Sequence, residues 1–88
     1  MDDHAVRVTE PVLRALDAYE RDQASVADVQ AAVGGAADAL DNSHADIITV
    51  LRETDADLEV VQFAMPLTEQ GDAMRRLATV LRDALPRA

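Results

Sequence analysis

Val26, Val29, Val33, Ala36 and Leu40 follow one another at steps of 3, 4, 3 and 4. A second series, Ile47, Leu51, Thr54, Leu58, Val61 and Met65, steps by 4, 3, 4, 3 and 4. Such spacing lays side chains along one stripe of a helix with 3.6 residues per turn, whereas a strand needs alternation at every second residue. The chain is therefore built to pair helices along apolar seams. The stretch around Val61, Phe63 and Met65 also reads at period two, but a lone strand has no partner elsewhere in the sequence. Helix is predicted over 44–65, either continuous or re-capped at Thr54 with Asp57 at its third position.

Capping residues divide the rest. Thr9 reads as an N-cap with Pro11 in the first turn, where a missing N–H is harmless. Val12, Leu13, Leu16 and Tyr19 then give a first helix over about 10–22. Ser25 with Asp28 resembles a capping box and opens a second helix over about 26–41. Gly34-Gly35 interrupts that helix at about 1 kcal/mol per Gly relative to Ala. The unbroken seam predicts one helix all the same, with a neighbour packed against the missing side chains. Ser43 with Asp46 repeats the capping pattern near His44, where Ile47, Ile48 and Leu51 supply an apolar face. Pro66 ends the third helix. Thr68 caps a fourth over about 69–85, carrying Met74, Leu77, Leu81 and Leu85, and Pro86 closes it. The prediction is an all-α fold, a small antiparallel bundle of about four helices. Residues 1–8 form a flexible N-terminus and 9–88 a single domain.

With 88 residues and no cysteine, neither disulfides nor a thiolate zinc site can supplement a thin core. Seventeen acids face eight bases, for a net charge of −9. That balance disfavours nucleic acid and anionic membranes as partners and favours basic proteins. The charge is uneven: residues 41–72 hold one Arg and eight acids, residues 73–88 four Arg and one acid. All eight bases are Arg, a usage that suggests a GC-rich bacterial genome. No stretch of 18 apolar residues is present to span a membrane. The Met-Asp-Asp-His start lacks the basic and apolar segments of a secretion signal, so a cytoplasmic product is expected.

The residues for catalysis are poorly placed. His4 and His44 each lack a second His at i+4, and Gly34-Gly35 lacks the flanks of a phosphate loop. Asp55-x-Asp57-x-Glu59 begins like a calcium loop, but Val60 falls where Gly is needed and Pro66 where the last Glu belongs. A helix-turn-helix over Ser25–Leu40 is disfavoured by the net charge. No enzyme activity, cofactor or metal is expected. Asp41-Asn42-Ser43-His44 places a serine where acyl carrier proteins carry their modified one. That family's following Leu is replaced by His and its preceding Gly is absent, so Ser43 reads as an N-cap.

Several stretches carry a different likeness. Leu16-Asp-Ala-Tyr19-Glu precedes a short polar turn, and Ser25-x-Ala-Asp-Val29 opens the second helix. Asp55-Ala-Asp57-Leu58-Glu59 is followed by Phe63, and the last helix carries Leu77, Leu81 and Leu85. From Leu16 to Leu85 the chain resembles the small acidic immunity proteins of bacterial toxin systems, of the colicin and contact-dependent growth inhibition kind. The resemblance implies a stoichiometric inhibitor of a basic cognate toxin domain, a nuclease being one kind. It makes Asp38, Asp41, Asp46, Glu53, Asp55, Asp57 and Glu59 the candidate partner-binding residues. Of these, Asp46, Glu53 and Asp57 step by 7 and 4 and share a helix face opposite Ile48 and Leu51. Tyr19 is expected in the core with its hydroxyl at the rim, and Phe63 in the core. The alternative function is a regulatory or scaffold protein that homodimerises along the seams of the second and third helices.

Overall fold

A computed structural model of the chain describes residues 3–87. It contains helices α1 (Asp3–Glu20), α2 (Val26–Ala39), α3 (Ala45–Ala64) and α4 (Leu67–Ala84), with a short 3-10 turn over Asn42–His44 before α3. No strand is present among the described residues. The all-α, four-helix fold expected from the apolar spacing is the one adopted.

Helix α1 starts earlier than the caps suggested. Residues 3–8, expected to belong to a flexible terminus, form its first turns, while residues 1 and 2 lie outside the described part. Ala5 and Thr9 are both buried, and that contact extends the helix toward the N-terminus. Thr9 is not a cap: its hydroxyl donates to the Ala5 carbonyl at 2.8 Å. Pro11 consequently stands inside the helix and offers no N–H to the Arg7 carbonyl one turn back. The helix ends at Glu20 in a Schellman closure. The Gln23 N–H reaches the Ala18 carbonyl at 2.8 Å, the Asp22 N–H reaches Tyr19 at 3.1 Å, and Asp22 takes a φ of 58°.

Helix α2 opens on the expected capping box. Ser25 N–H donates to Asp28 Oδ2 at 2.8 Å, and Asp28 N–H to Ser25 Oγ at 3.2 Å. It runs unbroken through Gly34-Gly35. No neighbour fills the gap at Gly35, where an added Cβ would meet nothing within 4 Å. Helix α3 is continuous, without re-capping at Thr54, which is buried. Its entry differs from the expected one. Asp41, not Ser43, caps the preceding turn, and His44 occupies the N-cap position of α3, its side chain making no capping bond to the N–H groups of that helix. Pro66 separates α3 from α4 as expected, with Met65 extended before it. Pro66 itself is the N-cap of α4, which places Thr68 inside the helix.

Helix α2 packs between α1 and α3, and α4 packs against α3. The seams meet in one aliphatic core: Val12 and Leu16, Val29 and Val33, Leu51 and Leu58, Met74 and Leu81 are each 2% exposed or less. Ala36, Ala37, Ala73 and Ala78 are buried beside them and let the helices approach closely. Tyr19 is partly buried against this core. The last contact has its own geometry. Arg82, near the end of α4, pairs with Asp17 (2.8 Å) and with Glu20, near the end of α1. A regular up-down-up-down bundle keeps those two ends at opposite poles. Here the C-terminal ends of α1 and α4 meet.

Candidate functional site

Helix α3 buries the stripe Leu51, Thr54, Leu58 and Val61, so its charged residues are forced onto the remaining surface. They do not form a single patch. Asp55 and Glu59, one turn apart, border α2: Gln30 Nε2 donates to Asp55 Oδ1 at 3.0 Å and to Glu59 Oε2 at 2.7 Å. Two carboxylates at this spacing repel one another. The amide of Gln30 bridges them without neutralising either. Arg52 lies on the same side and bonds Asp38 of α2 at 2.8 Å. Gln30, Arg52, Asp55 and Glu59 line a shallow opening of about 280 Å³ between α2 and α3. Gly34 stands beside it, its absent Cβ 3.9 Å from Asp55 Oδ2.

On the opposite flank, Asp57 lines a groove of about 250 Å³ between α3 and α4, with Arg76 across from it and Val60, Val61, Met65 and Leu77 in its walls. Asp46 and Glu53 share that flank by helical spacing, and both are exposed. Asp55 and Asp57 therefore point to different sides of one helix, and the calcium-like spacing brings no ligands together. Among the described residues no group of three His, Asp or Glu converges on a common point.

Asp41 stands apart from both rows. Its Oδ1 accepts the Ser43 N–H at 3.0 Å and also the Ser43 hydroxyl. Those two bonds, and then His44, hold the Asp41 carboxyl below its usual range. His44 Nδ1 lies 3.2 Å from both Ser43 Oγ and Asp41 Oδ1. A nucleophile relay needs the serine on one ring nitrogen and the carboxylate on the other. Here one nitrogen faces both, so this cluster is a turn cap.

Between the two acidic rows lies a surface the sequence reading missed. Val60 is 52% exposed, Phe63 71% and Leu67 84%. Phe63 was expected in the core by residue type. Its position had already excluded it, because the seam 47, 51, 54, 58, 61, 65 passes it by. Gln30 gave no such signal, since its role depends on α2 lying beside α3. The basic final segment also changes character in the fold. Helix α4 begins at Leu67 and so takes in Glu69 and Asp72, which with Asp83 balance Arg75, Arg76 and Arg82.

No known protein family, curated protein or solved structure matches the chain. Among the described residues, no helix is long and apolar enough to cross a membrane.

Proposed function

We propose that the chain is an immunity-type inhibitor, which binds and neutralises a basic bacterial toxin domain through the acidic surface of α3. One observation supports this reading above the others. Helix α3 carries five carboxylates and a single Arg, and that Arg is engaged by Asp38 of α2. Among the described residues no ion pair neutralises Asp46, Glu53, Asp55, Asp57 or Glu59. Five like charges along 20 residues destabilise the isolated helix. A basic partner relieves that repulsion, and the opposed fields raise encounter rates about ten- to a thousandfold at low salt.

The test is co-expression with the C-terminal domain of the neighbouring open reading frame, read as cell growth and co-purification. Rescue of a toxic domain with a stable 1:1 complex is the expected result. A harmless neighbour, or a toxic one that is neither rescued nor bound, removes that pairing. In the complex, the variant Glu53→Gln/Asp55→Asn/Asp57→Asn/Glu59→Gln should associate at least about tenfold more slowly at low salt, with a flatter salt dependence. Unchanged association places the contact elsewhere.

A further inference from the structure

The outer face of α3 is apolar where a solvated helix is ordinarily polar. Ala56, Val60 and Phe63 follow at steps of 4 and 3, all exposed, and Leu67 continues beyond the Met65–Pro66 corner on the first turn of α4. The acids of the two flanks border this stripe, Asp55 and Glu59 on the α2 side, Glu53 and Asp57 on the α4 side. Val60 also forms the lip of the α3–α4 groove, whose volume of about 250 Å³ suits one large apolar side chain.

From this placement we infer that the α3–α4 corner is the docking site for a basic amphipathic helix of a partner protein. The partner lays its apolar face on Val60 and Phe63, inserts one side chain into the groove, and sets cations against both acidic rows. Steps of 4 and 3 on α3 match apolar residues at the same spacing on a crossing helix. Charge selects this occupant over a second copy. Two copies carry −9 each, and α3 laid on α3 brings acidic rows against acidic rows. Helix α4 carries three acids and three Arg, so it adds no net positive charge to offset that. The inference rests on the reading of α3 as a surface for a basic partner, and it adds the apolar anchor and the helical form.

The experiment uses the full chain and three synthetic peptides: a Leu/Lys amphipathic helix, a scrambled peptide of the same composition, and a Leu/Glu helix of the same apolar pattern. Anisotropy of labelled peptide should show the Leu/Lys helix binding at least tenfold more tightly than either control. Binding should weaken at least tenfold in Val60→Ser/Phe63→Ser, whose helical circular dichroism should match the parent. Amide shift mapping on the parent protein should place the peptide on residues 56–67, a readout independent of the variant's folding. Equal binding by the scrambled peptide, an unaffected variant, or shifts confined to other elements each overturns the inference. So does sedimentation showing a dimer of the parent that the same variant dissociates, which assigns the face to a second copy. Failure of the immunity reading is distinguishable: growth rescue then fails while the peptide still binds at the corner. Rescue that survives Val60→Ser/Phe63→Ser, with no peptide binding, defeats the docking inference alone.

Discussion

Gly35 sits in the middle of α2 with ordinary helical backbone, exposed, and with nothing within 4 Å of where its Cβ would lie. Its conformational freedom thus serves no contact in the folded chain. Gly35→Ala is expected to stabilise the fold by about 0.4–1 kcal/mol, read as a higher urea midpoint with an unchanged slope. Gly34 is half-buried and has the Asp55 carboxylate 3.9 Å from its absent Cβ, ordinary contact distance. Asp22 is the reverse case, a side-chain-bearing residue at φ 58° that Asp tolerates and most residues do not. The capping box at Ser25 and Asp28 was legible because both partners lie three residues apart. The cap at Asp41 was not, since Ser43 offers the same local chemistry and only the path of the turn chooses between them.

At the scale of elements, charge pairing joins helices that the apolar seams alone leave loosely connected. Arg82 ties the end of α4 to the end of α1, and its bond to Glu20 holds the Glu20 carboxyl below its ordinary value of 4.5. A carboxyl whose pKa is lowered in the folded chain contributes stability that is complete above its ordinary value and lost as pH falls through the folded one. Arg82→Gln should therefore lower the urea midpoint at pH 7. The difference from the parent protein should close as pH drops below 4.5. Asp28 is held low in the same sense by the Ser25 N–H and hydroxyl, so both proteins share a further acid-side loss. A difference that persists undiminished at pH 2 would show that Arg82 acts through packing of its stem. Along its own helix Arg82 meets only the negative end of the helix dipole; its partners in the fold are 62 and 65 residues away, beyond what local spacing can show.

For the whole molecule, the surface of 5222 Å² is close to the roughly 5,000 Å² of a folded monomer of this mass. The extents are 38 × 23 × 18 Å. Eighty-eight residues imply a total stability of roughly 4–13 kcal/mol, so single core positions matter. Leu58, fully buried, should cost about 2–5 kcal/mol when replaced by Ala. Phe63→Ser should stay within about 0.5 kcal/mol of the parent, because the ring is 71% exposed. Thermal melts of the two variants side by side check the contrast. A loss at Phe63 comparable to that at Leu58 would mean the ring is covered in solution.

Apolar spacing, capping pairs and prolines together determined that the chain is helical, where three of the four helices both begin and end to within a few residues, and which stripe of each is buried. Those properties depend on neighbours within a turn or two, and periodicity records them directly. Even Phe63 was readable as an outward residue from its register. The tertiary structure alone decided that the acids of α3 divide into two rows, that Gln30 bridges Asp55 and Glu59, and that α1 and α4 meet at their C-terminal ends. Each of these depends on how one helix is rotated and crossed against another. That choice is made by packing among Val, Leu and Ala side chains of similar size, and a seam repeated at steps of three and four leaves several such packings open.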